Sequence, residues 1–125
     1  MRENKVSQKT KHGFKRLFNA TRFSYQGLQA AFKTEAAFRE ELILACIMIP
    51  LAFWLDVSQI ERILMIACVV LVMVMELINS AIEAVVDRIG TEHHELSGKA
   101  KDIGSATVML TMLLTVYVWA EILFL

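Results

Sequence analysis

The stretch MELINSAIEAVVDRIGTEHHELSGKAKD, residues 75–102, decides how this chain folds. Its first half continues an apolar run, so a helix is expected there. At about 100° per residue, with Glu76 taken as the zero, Asn79 falls near −60°, Ser80 near +40°, Glu83 near −20° and Asp87 near +20°. These five polar groups share an arc of about 100°, and Leu77, Ile78, Ile82, Val85 and Val86 fill the rest of the surface. The pattern is an acidic ridge on a helix otherwise suited to lipid. Beyond it, Gly90 and Gly98 are flexible points in an expected connection over 85–102, which carries Arg88, Lys99 and Lys101.

Composition agrees with a greasy helix. The chain has 125 residues, 56% of them hydrophobic, a mean hydropathy of +0.50 and zero formal net charge. A soluble domain averages roughly 45–50% apolar residues, so the excess here calls for lipid or a partner. The length allows one domain. One proline, five glycines and 21% charged residues exclude a disordered chain. Thirteen basic residues against thirteen acidic ones exclude a strongly basic nucleic-acid binder. Cys46 and Cys68 sit inside apolar runs, where cysteine is usually a small hydrophobe, so no disulfide scaffold is expected.

Residues 42–55 carry no charge, residues 63–75 form a second apolar run, and residues 103–125 a third, broken only by Glu121. A spanning helix needs about 20 mainly apolar residues. The third run meets that. The first two do so only if ionisable residues enter the bilayer facing protein. Three spans are therefore expected, approximately 36–55, 60–84 and 103–124, making an all-α membrane protein. Nine of the thirteen basic residues precede residue 40, and three more lie in 85–102. Lys/Arg-rich short segments stay cytoplasmic, which places the N-terminus inside and the C-terminus outside. No apolar core of a signal peptide follows the basic N-terminus.

Before the first span, Phe14, Leu17, Phe18, Phe23, Tyr25, Leu28, Ala31 and Phe32 recur at spacings near three and four. Lys15, Arg16, Arg22 and Gln29 fall between them. This reads as an amphipathic interfacial helix, interrupted near Gly27, with residues 1–12 disordered. Pro50 should kink the first span or mark an irregular turn in it. Trp54, Tyr117 and Trp119 read as anchors at the membrane interface. Asn19-Ala-Thr21 matches a glycosylation acceptor but falls on the cytoplasmic side, so it is discounted.

Each charge at mid-bilayer costs on the order of 2.5–3.5 kcal/mol on the lenient insertion scale, so the ridge demands a reason. Asn79 and Ser80 could serve only to bond neighbouring helices, and Glu83 could pair with Arg88 or Lys101. Glu76 has no basic residue near it on its own helix. It lies seven residues, roughly 10.5 Å at 1.5 Å each, from Glu83, on the deeper side. Buried carboxylates of this kind hold a hard cation such as Mg²⁺ or act as general bases towards a hydroxyl. With the cationic groups that follow, they suit a nucleotide–metal complex at the membrane surface. Neither GxxxxGK[ST] nor GxGxxG is present. Glu35 and Arg39 share a helix face, with Glu41 nearby, and by spacing alone read as a solvated ion pair. The adjacent His93 and His94 cannot share one metal on a helix, and no zinc motif is present.

ELINSAIEAVVDRIG followed by HELSGKAKDIGSA, with GLQAAFKTEAAFREE upstream, closely resembles the signature of the prokaryotic membrane diacylglycerol kinase family. The resemblance is ungapped and covers nearly the whole chain after about Gly13, and with it the single integral-membrane domain expected over 13–125. It implies a homotrimer of three-span chains, each preceded by an amphipathic helix, in the bacterial inner membrane. It implies transfer of the γ-phosphoryl of MgATP to the primary hydroxyl of diacylglycerol, giving phosphatidic acid, at sites between protomers. By the same resemblance, Glu76 is the general base and Asn79 orients it, while Glu83 and Glu35 hold the divalent metal. Arg16, Phe23, Glu92, His93, His94, Lys101 and Asp102, with Glu35 and Glu83, fall where the family contacts nucleotide. Arg39, Glu41, Trp54 and Ser105, with Glu76, fall where it contacts lipid. Phe23 stands where the family often has tyrosine, Gln26 and Gln29 replace commonly basic residues, and His93 takes a commonly aromatic position.

Three short helices cannot by themselves surround an acidic ridge, so a homo-oligomer is expected. Ala81, Ala84, Gly104, Ser105 and Ala106 are small enough for close helix contact. A relative of the same family acting on undecaprenol would use the same carboxylates. Rivals from other classes are a small transporter with a membrane glutamate and a non-catalytic membrane adaptor in which the ridge only joins helices.

Overall fold

The computed structural model describes residues 2–125, with side chains from residue 11 onward. All its regular structure is α-helical: α1 (Arg2–Thr34), α2 (Ala36–Trp54), α3 (Gln59–Ile89) and α4 (Glu95–Phe124). Residues 1–34 form one compact unit and residues 35–125 another. The disorder expected over 1–12 falls largely on side chains outside the described residues; along the backbone, α1 begins at Arg2.

Helix α1 is continuous through Gly27, so the expected interruption is absent. A single glycine in a helix costs only about 1 kcal/mol relative to alanine, too little to stop a long helix. Phe14, Leu17, Phe18, Tyr25, Leu28 and Phe32 are exposed along one stripe. Phe23 does not belong to it. Nine residues beyond Phe14, it falls about 180° away, on the face of Arg16, with the Arg22 guanidinium 5.3 Å from its ring centre.

In the second unit α3 is the central helix and packs against both α2 and α4. The α2–α3 connection is held by polar groups. Arg62 Nε donates to the Ala52 carbonyl at 3.1 Å, an acceptor that the α2 C-terminus leaves open, and its Nη2 donates to the Val57 carbonyl of the connection at 3.4 Å. Ser58 caps α3 reciprocally with Glu61: the Glu61 N–H donates to Ser58 Oγ at 3.2 Å, and the Ser58 N–H to Glu61 Oε1 at 3.0 Å. Pro50 lies inside α2 without ending it.

Ala45, Ala52, Met65, Cys68, Val69 and Trp119 form the core. Two buried hydrogen bonds pin α4 to α3. Trp119 Nε1 donates to the Met65 carbonyl at 3.1 Å, and Thr115 Oγ1 donates to the Cys68 carbonyl at 3.2 Å. Trp119 is therefore a core residue and not an interfacial anchor. Its indole N–H needs an acceptor once buried, and the α3 backbone supplies it. Trp54 and Tyr117 remain exposed.

Among the described residues two helices, α3 and α4, are long and apolar enough to cross a membrane. Helix α2 is shorter, with Arg39, Glu40 and Glu41 in its first turns. The connection expected over 85–102 contracts to residues 90–94, because α3 runs on to Ile89 and α4 starts at Glu95. His94 caps α4, its Nδ1 accepting the Leu96 N–H at 3.1 Å. Lys99, Lys101 and Asp102 are thus helical. Leu110, Leu113, Leu114 and Val116 stay exposed on α4, a surface that suits lipid or another helix better than water.

Candidate active site

The α3 ridge forms as its periodicity requires, but its members are not equivalent. Glu76 and Asn79 are buried, at 6% and 7% exposure, whereas Ser80 and Glu83 are half-buried and Asp87 is exposed. Glu41, at 6% exposure, joins them from α2. Its carboxylate lies close enough to Glu76 for the two to interact, and both its oxygens lack a hydrogen-bond partner. Glu35 and Glu83 lie close enough to Glu76 for their charges to act on it. Glu35, in extended backbone just before α2, leaves its side chain free of any capping bond. Glu76 is thus within electrostatic reach of Glu35, Glu41 and Glu83, although the four are spread over nearly fifty positions of the chain.

Asn79 Nδ2 donates to Glu83 Oε1 at 3.2 Å. Its amide is therefore spent on Glu83 and not on Glu76, the residue it was expected to orient. Its Oδ1 and the Ser80 hydroxyl are buried without a hydrogen-bond partner. Toward the α3–α4 turn the ridge leads to a depression of about 240 Å³ lined by Val86, Asp87, Gly90, Thr91, Glu92, His93, His94, Ser97, Gly98 and Lys101. Lys101 Nζ lies 2.7 Å from Asp87 Oδ1, so the lysine is oriented by Asp87 and not by Glu83. The depression brings together Glu92, His93, His94 and Lys101; Asp102 is exposed beside it on α4.

A second, apolar groove of about 260 Å³ runs between the three helices, lined by Glu41, Leu44, Met48, Val69, Val72, Met112, Thr115 and Val116. Glu41 is its acidic end. Of the remaining candidates, Arg39 is half-buried on α2, Ser105 is exposed on α4, and Trp54 is 82% exposed at the other end of α2. Arg16 and Phe23 lie seven residues apart on one face of α1. Among the described residues no three His, Cys, Asp or Glu side chains converge to cage a metal ion. Mg²⁺ needs no such cage: it binds through one or two carboxylates plus substrate phosphates. Glu35 and Glu83, the two carboxylates whose charges both reach Glu76 from outside the buried pair, fit that requirement.

The chain as a whole is similar to known proteins. The sequence profile of prokaryotic diacylglycerol kinase matches residues 22–123. The chain belongs to the prokaryotic diacylglycerol kinase family. It is 59% identical over 112 residues to the diacylglycerol kinase of Haemophilus influenzae, covering 90% of this chain and 95% of that one. It is 51% identical over 111 residues to the diacylglycerol kinase of Escherichia coli K12, covering 89% and 91%. The diacylglycerol kinase of Pseudomonas aeruginosa is also 51% identical over 111 residues, covering 89% and 90%. The matched region of the diacylglycerol kinase family takes in Phe23, the whole acidic ridge, the depression at the α3–α4 turn and the apolar groove; Arg16 alone of the candidates lies before it.

Two features escaped the sequence reading. His94 is a helix cap, a role that its Asx-like position before Glu95-Leu96 could have suggested. Gly104 approaches Asn79 so closely that a Cβ there would meet Asn79 Oδ1. A small residue on an apolar helix signals a close contact, but not with which neighbour.

Proposed function

We propose that this protein is a membrane-embedded lipid kinase that transfers the γ-phosphoryl of MgATP to the primary hydroxyl of diacylglycerol, giving phosphatidic acid. The observation that carries this reading is the placement of the buried Glu76 carboxylate between an apolar groove ending at Glu41 and a polar depression at the α3–α4 turn. One side suits acyl chains and the other a nucleotide. A carboxylate between them has the chemistry of a base towards a lipid hydroxyl.

In this reading α2, α3 and α4 all cross the bacterial inner membrane, α1 lies in its cytoplasmic interface, and the C-terminus is outside. The excess of Lys and Arg before residue 40 supports that orientation. The chain works as a homotrimer. The unpartnered buried oxygens of Glu41 and Ser80 and the exposed apolar side of α4 are what a neighbouring copy or substrate would satisfy and cover.

Phosphoryl transfer is catalysed mainly by positioning and charge neutralisation. The diacylglycerol hydroxyl reaches Glu76 from the groove, with Glu41, Arg39, Trp54 and Ser105 contacting lipid. Glu76 takes the hydroxyl proton as the oxygen attacks the γ-phosphorus, and the bond from that phosphorus to the β–γ bridging oxygen breaks, so that ADP leaves. Glu92, His93, His94, Lys101 and Asp102 hold the nucleotide. Asn79 fixes the Glu83 carboxylate through its amide. Glu35 and Glu83 would hold the Mg²⁺, which offsets charge on the phosphates when bound.

The test is transfer of radiolabel from γ-labelled ATP into lipid in mixed micelles, with diacylglycerol and undecaprenol offered in parallel. Labelled phosphatidic acid at the faster rate supports the reading. Faster labelling of the polyprenol would reassign the acceptor, and no lipid-dependent transfer with magnesium present would leave a transporter or adaptor.

A further inference from the structure

Gly104 is buried on α4 where that helix meets α3. A methyl group on its Cα would overlap Asn79 Oδ1, with Asn79 Cγ at 3.3 Å and Ile82 Cδ1 at 3.7 Å. A Cβ on Gly13, Gly27, Gly90 or Gly98 would meet nothing within 4 Å, so the demand for a missing side chain is particular to position 104. What occupies the space is the end of a polar side chain, not backbone. The Asn79 carboxamide is planar and has one edge against α4. From its other edge Nδ2 donates to Glu83 Oε1 at 3.2 Å, and rotating the amide away from α4 would carry Nδ2 off that oxygen.

We infer that Gly104 is a positioning residue of the active site: its lack of a side chain lets Asn79 lie against α4 and hold Glu83 in the orientation the metal–nucleotide complex requires. It touches no substrate and acts through Asn79 alone. The inference rests on the reading of Glu83 as a metal-binding residue, and it deepens that reading by extending the site from α3 onto the α4 backbone. It also gives this glycine a role inside one chain, distinct from close packing between copies.

The displaced atom is the tip of a flexible side chain, so Gly104→Ala should fold and lose only the Asn79–Glu83 geometry. The experiment compares wild type, Gly104→Ala, Asn79→Ala, the double variant and Glu83→Gln in mixed micelles. It reads the Mg²⁺ concentration for half-maximal activity, kcat, and the thermal unfolding midpoint. Supporting partners of metal ligands typically contribute about 10–100-fold to metal affinity. Gly104→Ala and Asn79→Ala should each raise the Mg²⁺ requirement about tenfold. The double variant should match Asn79→Ala, because both changes remove the same interaction. A wild-type Mg²⁺ requirement in Gly104→Ala overturns the inference, as does a double variant in which the two effects multiply. If Gly104→Ala fails to fold, a double variant that folds with the metal requirement of Asn79→Ala still supports it, and one that also fails overturns it. If Asn79→Ala and Glu83→Gln both keep the wild-type requirement, the reading of Glu83 itself fails, and the inference with it.

Discussion

Asn79 and Glu83 lie one helical turn apart on α3, and the Asn79 amide donates to Glu83 Oε1 at 3.2 Å. The bond leaves the other Glu83 oxygen available to a cation. Glu83→Ala should therefore raise the Mg²⁺ needed for half-maximal activity by about tenfold or more, with the KM for diacylglycerol unchanged. A Mg²⁺ titration that superimposes on the wild type would remove Glu83 from the metal site.

Lys101 is held at 2.7 Å from Asp87 Oδ1 on the wall of the polar depression. Lys101→Met should raise the KM for ATP about tenfold, as expected for one lost charge-assisted contact to phosphate. The KM for lipid should not move. Steady-state titrations of each substrate distinguish these outcomes, and an unchanged ATP KM would place the nucleotide elsewhere.

Glu41 ends the apolar groove with two oxygens that have no protein partner. Glu41→Ala should raise the KM for diacylglycerol about fivefold, the worth of one hydrogen bond of about 1 kcal/mol, with ATP KM near the wild type. A change confined to ATP would count against a lipid role for the groove.

Trp119 sits away from this chemistry and serves the fold. Trp119→Phe keeps most of the packing but deletes the 3.1 Å bond to the Met65 carbonyl. It should lower stability by about 1 kcal/mol, read from reversible unfolding in micelles, while activity per folded protein stays near the wild type.

The acidic ridge was legible in the sequence because a helix of 3.6 residues per turn turns spacing directly into a shared face. Glu76, Asn79, Glu83 and Asp87 needed no other information. The convergence of Glu35 and Glu41 on Glu76 depends on how α2 packs against α3, and spacing within α2 shows only a local ion pair. Trp119 was misread for a related reason: a tryptophan near the end of an apolar run suits an interface or a core, and the choice turns on an acceptor at Met65, 54 positions away. Phe23 was misplaced because a spacing of five from Phe18 was grouped with threes and fours; the helix puts it on the polar face with Arg16. Lys99 and Lys101 were assigned to a loop because charge and glycine suggested one, whereas the His94 cap starts α4 before them.

Glu76→Gln tests the central claim most directly, since it removes the base while keeping size and most hydrogen bonding. Radiolabel transfer from ATP to diacylglycerol should be lost in a protein that unfolds at the wild-type temperature and still binds nucleotide. Turnover at the wild-type rate would contradict the account.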